Sequence, residues 1–127
     1  MRSLLPGLLL LLFTGQALGH ATLVESQPDD GATLERADEA VVLRYSEGIQ
    51  PRFSDFAVHF LGDDKAAALT HDNRLPRAAP EVTDRNQVVR VALPENAADG
   101  WYALDWEVLA EDGHTTSGTL RFRLAAE

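Results

Sequence analysis

Four histidines punctuate this chain of 127 residues, and two of them stand where a metal could be held. Asp112-Gly113-His114 sets a carboxylate and an imidazole on either side of a glycine, whose backbone can reach angles closed to other residues, so one turn can aim both side chains at one point. His20 follows Ala17-Leu18-Gly19, the small-x-small pattern at which signal peptidase cuts. Cleavage after Gly19 makes His20 the first residue of the mature chain. Its α-amine and ring Nδ1 then close a chelate ring on one ion, and once the first nitrogen binds, the second is effectively intramolecular. An α-amine titrates at about 7.7–8.0 and must lose its proton to bind, so affinity is expected to fall with pH.

Together these segments offer three nitrogens, from the amine, His20 and His114, and one carboxylate oxygen from Asp112. Such a set in a tetragonal plane suits Cu(II), while Zn(II) takes the same ligand types in a tetrahedron and is the main competitor. Cu(I) prefers thiolate or thioether, and the chain has no cysteine and a single methionine, Met1. A calcium loop is absent too, since no run of alternating acids ends in a bidentate glutamate. Neither segment is decisive alone: Asp112-Gly113-His114 by itself reads as a surface turn, and a histidine can follow a cleavage site by chance.

Residues 1–19 carry Arg2 as their one charge and an apolar run from Leu8 to Phe13, which reads as a cleaved signal peptide. That run is shorter than the roughly 20 residues a membrane-spanning helix needs. Cleavage leaves residues 20–127, enough for one domain with one core. Losing Arg2 takes the formal net charge from −9 to −10, so nucleic acid and anionic membranes are disfavoured as partners. With no disulfide available, stability must come from an apolar core.

The elements that must position these ligands are strands. Apolar residues alternate in Val41, Leu43 and Tyr45; in Phe56, Val58 and Phe60; in Val89, Val91 and Leu93; in Tyr102, Leu104, Trp106 and Val108; and in Leu120, Phe122 and Leu124. With Thr22 to Glu25 and a short strand near Ala66 to Leu69, about seven strands are expected. Turn residues separate them at Pro28-Asp29-Asp30-Gly31, Gly62-Asp63-Asp64, Asp72-Asn73, Pro94-Glu95-Asn96 and Asp112-Gly113. The fold class is therefore all-β, either an immunoglobulin-like sandwich or a Greek-key barrel. Thr70 to Thr83, with its prolines and little pattern, reads as a long loop.

His20-Ala21-x-Leu23, Tyr45-Ser46-Glu47, and Gly100-Trp101-Tyr102-x-Leu104-x-Trp106-x-Val108 leading to Asp112-Gly113-His114 and Gly118 resemble the CopC/PcoC family of periplasmic copper-binding proteins over residues 20 to 125. The resemblance implies that His20 with its amine, Asp112 and His114 ligate Cu(II), and that Glu47 lies near the metal as an axial ligand or an outer acceptor. Without it, Glu47 is only an acid at a strand end. It also implies a periplasmic location, a role in copper homeostasis, resistance or delivery, a monomer, and an inner-membrane copper importer of the CopD type as partner. Members with two copper sites carry a methionine-rich stretch in mid-chain. Gly62 to Pro80 has none here, which implies a Cu(II)-only member. Ala110-Glu111 and Thr115, where the family often has serine and proline, depart from the pattern without touching a ligand.

Other residues invite blander readings. His59 is out of phase with Phe56, Val58 and Phe60, so it is expected to face solvent or the opposite sheet face. His71, beside Asp72, is a solvated loop histidine or at most a weak second site. Trp106 belongs to the core and Trp101 near the surface. Ser46, Ser54 and Ser117 show no nucleophile pattern. A binding module with no turnover is the leading expectation. The alternatives are a copper mono-oxygenase using an N-terminal histidine, for which the chain lacks a flat aromatic face, and a metal-free immunoglobulin-like structural domain.

Overall fold

The computed structural model describes residues 20–77 and 79–126, so the leader expected over residues 1–19 lies outside the described residues. Among the described residues eight strands follow in order: β1 (Leu23–Gln27), β2 (Thr33–Leu34), β3 (Val41–Tyr45), β4 (Asp55–Gly62), β5 (Glu81–Thr83), β6 (Val88–Val91), β7 (Gly100–Leu109) and β8 (Thr115–Leu124). A short 3-10 helix, Pro51–Phe53, precedes β4. They form two four-stranded sheets, β1-β3-β6-β5 and β2-β8-β7-β4. Of the two all-β arrangements expected, the molecule is therefore the sandwich.

The alternation read from the sequence is what the sheets bury. Val41, Leu43 and Tyr45 turn inward on β3, Val89 and Val91 on β6, Tyr102, Leu104, Trp106 and Val108 on β7, and Leu120, Phe122 and Leu124 on β8. Between the sheets the Tyr45 ring meets Trp106 edge-on at 5.3 Å, and Tyr102 stacks on Phe122 at 5.6 Å. Gly118 lies opposite Trp106. A Cβ there would sit 2.6 Å from the indole, so only glycine lets the ring lie flat across β8.

Three local readings change. Ala66 to Leu69 is not a strand: Asp64 takes the Ala66 and Ala67 amides into a turn, and Arg121 of β8 holds the Lys65 and Ala67 carbonyls. The stretch Thr70 to Thr83 is not all loop, because its last three residues form β5 against β6. β2, two residues long and parallel to β8, was not anticipated.

His59 faces away from the core, as its phase required, yet it is 6% exposed rather than solvated. The segment around Asn73 lies over it. Phe60 N–H donates to the Asn73 carbonyl and Leu75 N–H to the Val58 carbonyl, and Arg74 bridges to His59. β4 is consequently buried on both faces.

Candidate metal centre

Three segments meet at one end of the sandwich, beyond the last residues of β3 and β7 and before the first of β1 and β8. The first is residues 20–22, leading into β1. The second is the connection after β3. The third is the five-residue loop 110–114 joining β7 to β8.

The 110–114 loop is a compact turn. Gly113 N–H donates to the Ala110 carbonyl at 3.0 Å, and Ala110 N–H to the His114 carbonyl at 2.8 Å. Gly113 has φ +92°, the left-handed region that favours glycine, with open space where a Cβ would lie. That conformation folds Asp112 back onto His114: its Oδ1 accepts the His114 backbone N–H at 3.0 Å, and its Oδ2 lies 2.9 Å from His114 Nδ1. The carboxylate can only accept, so in the absence of metal Nδ1 carries a proton toward Oδ2.

The connection after β3 braces this loop. Glu111 N–H donates to the Gly48 carbonyl, Gln50 N–H to the Leu109 carbonyl, and the Gln50 side-chain amide to the Ala110 carbonyl at 2.9 Å. A Cβ at Gly48 would run into the Glu111 carboxylate and come within 2.9 Å of the Arg85 carbonyl, so the close approach depends on glycine.

The N-terminal segment is held from both sheets. Ser46 N–H donates to the Thr22 carbonyl, and the Ser46 hydroxyl accepts from Thr22 N–H at 3.0 Å and donates to the His20 carbonyl at 3.1 Å. From β8, the Thr116 hydroxyl donates to the Ala21 carbonyl at 2.6 Å, and Ala21 is fully buried. In the sequence Ser46 showed no nucleophile pattern and nothing singled out Thr116. Hydroxyls abound at strand ends, and only the fold shows which carbonyls they reach.

The outcome is a convergence of His20, Asp112 and His114. One ligating atom from each lies within 4.8 Å of the others, and all three residues are exposed. The two imidazoles meet edge-on, with centroids 4.5 Å apart and planes at 87°. The His114 backbone N–H, aided by its ring, holds the Asp112 carboxyl below the ordinary value of 3.8. The cluster therefore presents a carboxylate at neutral pH beside two exposed imidazole rings. Glu47, one residue past Ser46, is exposed and is not one of the three. His71 is exposed in its loop, Trp106 is buried and Trp101 is half-buried with Lys65 over its ring.

A family model for the CopC domain matches residues 23–125. The chain belongs to the CopC domain family. Protein YobA of Escherichia coli K12 is 30% identical over 111 residues, covering 87% of this CopC-domain chain and 83% of YobA. Copper transport protein CutJ of Bacillus subtilis is 25% identical over 118 residues, which are 92% of this chain but 20% of CutJ. The solved structure of CopC from Methylosinus trichosporium superposes with a TM-score of 0.68 at 22% identity, covering 85% of this chain and 96% of that one, and so shares the sandwich fold.

Proposed function

We propose that this CopC-domain chain is an exported Cu(II)-binding protein of copper homeostasis, resistance or delivery, with one mononuclear site made by His20, Asp112 and His114. The observation that carries this reading is the meeting of their ligating atoms within 4.8 Å on an exposed surface. After cleavage at Gly19 the His20 amine and ring supply two nitrogens, the His114 ring a third, and Asp112 an oxygen. An ion shared by Asp112 and His114 takes the place of the proton between Oδ2 and Nδ1, which lie 2.9 Å apart, and Oδ1 keeps the His114 backbone N–H. Three nitrogens and an oxygen favour Cu(II), and the lack of sulfur in residues 20–127 speaks against a Cu(I) site. Glu47 stands in this reading as an outer or axial oxygen.

Copper is cargo here, not a catalyst, in keeping with a family of copper-binding proteins rather than enzymes. The small share of CutJ that the chain matches supports delivery: in that copper transport protein a domain of this kind is joined to a much longer chain. In this reading the domain hands copper to a membrane importer of the CopD type, from the periplasm and as a monomer.

The test is Cu(II) titration with electron paramagnetic resonance on protein beginning at His20, beside protein with one residue added before it. The expected result is one tight tetragonal Cu(II) per chain in the first and a large loss of affinity with a changed spectrum in the second. Equal affinity and equal spectra would remove the amine chelate from the reading.

A further inference from the structure

The His20 carbonyl accepts from the Ser46 hydroxyl and the Ala21 carbonyl from the Thr116 hydroxyl, and these two bonds come from different sheets. The first residues of a chain fray unless they are tied down. A ligand placed there pays for its own ordering each time it binds, and fixing it beforehand raises affinity. Here the two ties engage carbonyl oxygens only, so they order residues 20 and 21 without consuming the amine or the ring.

Their placement matters as much as their number. Ser46 directly follows β3, beside β1, and fixes the segment to the first sheet. Thr116 is the second residue of β8, two past His114, and fixes the same segment to the strand that carries the opposing imidazole. Ala21 between them is fully buried, which stops the segment from pivoting. The separation of His20 from His114 is thus set by short, specific bonds and not by the length of a loose arm.

We propose that Ser46 and Thr116 act as a hydroxyl clamp, a pair of positioning residues that pre-organise the His20 chelate against His114; this rests on the copper reading above. Neither touches the metal. Losing one neutral hydrogen bond is expected to weaken Cu(II) binding about fivefold, and losing both by roughly tenfold or more.

The experiment compares, all beginning at His20, the wild-type chain with Ser46→Ala, Thr116→Val and the double variant, by competition of a Cu(II) chelator. Ser46→Thr, which restores the hydroxyl, should recover wild-type affinity. Each variant is also made with one residue added before His20. The clamp acts through the chelate, so in that background the same substitutions should change affinity less than twofold. Amide exchange at Thr22, measured without metal, should quicken in Ser46→Ala while the amides of β7 stay protected. Variants that bind copper as tightly as wild type, or lose as much with the added residue as without it, would overturn the clamp alone. A wild-type chain that binds no Cu(II) would overturn the copper reading and the clamp with it.

Discussion

Two histidines of this molecule have nearly the same partner and opposite circumstances. His59 Nδ1 lies 2.7 Å from the Asn73 side-chain oxygen, and His114 Nδ1 lies 2.9 Å from an Asp112 carboxylate oxygen. His59 is 6% exposed in mid-strand, under a segment that Asn73 itself organises: Asn73 accepts from Thr70 N–H and donates to the Ala68 carbonyl. His114 is exposed at a hairpin tip with a second imidazole 4.5 Å away. An oriented ring is therefore not enough to mark a candidate metal ligand. What separates the pair is whether the ring lies at the surface beside a second imidazole, and whether its partner carries a negative charge.

The sharpest way to break the comparison is to delete each ring. His114→Ala should lower Cu(II) affinity more than about a hundredfold, while the metal-free stability stays within the scatter of a surface substitution, about 0.5 kcal/mol. His59→Ala should do the reverse, costing about 2–3 kcal/mol through a cavity and the lost bond to Asn73, with copper affinity untouched. Calorimetric melts and chelator competition on both variants check this. Copper loss in His59→Ala at a temperature where the chain is folded would contradict the division.

A gentler change turns one pair into the other. Asp112→Asn keeps an oxygen for His114 but removes the charge, giving the site the His59–Asn73 arrangement. Copper affinity should drop by about ten- to a hundredfold with the hairpin intact. The pH dependence tells why. In the folded chain the Asp112 carboxyl is held below 3.8, so its ionised form stabilises the hairpin above that value and is lost only as pH falls through the lower folded value. Between pH 5 and 7 the wild-type carboxylate stays charged, so Asp112 contributes no proton uptake there. The slope of affinity against pH over that window should be the same in Asp112→Asn, only displaced. A flattened slope would assign the titration to Asp112.

Legibility in the sequence follows the length of each signal. β7 and β8, ten residues each, alternate long enough to show their buried faces, as do the shorter β3 and β6. β2 has two residues and exists only because β8, some ninety residues away, pairs with it, and no periodicity can exist in so short a run. The burial of His59 was invisible for a similar reason: its phase gives the face it occupies, but the cover comes from a loop packing back on β4. At the metal end, His20, Asp112 and His114 stood out by residue type, cleavage pattern and turn chemistry, and the fold brings these three together. Ser46 and Thr116 had no such signal, since their contribution lies in which carbonyl they reach across the sandwich.

The smallest effect concerns a buried polar group without a partner. Tyr45 is 1% exposed, and its hydroxyl has no hydrogen-bond partner among the described residues, whereas His59 beneath its loop has one. Burial pushes the Tyr45 phenol far above its ordinary range, so it stays neutral at any pH the fold tolerates. Its ring packs edge-on against Trp106 and depends on none of this. Tyr45→Phe keeps the ring and removes an oxygen whose desolvation nothing offsets, so stability should be unchanged or raised by at most about 1 kcal/mol, with copper binding unaltered. Urea melts compared with Asn73→Ala, which strips His59 of its partner and should cost about 1–3 kcal/mol, would put the two cases on one scale. A comparable loss in Tyr45→Phe would mean that the hydroxyl is satisfied by a bound water, and that the contrast lies in hydration instead of packing.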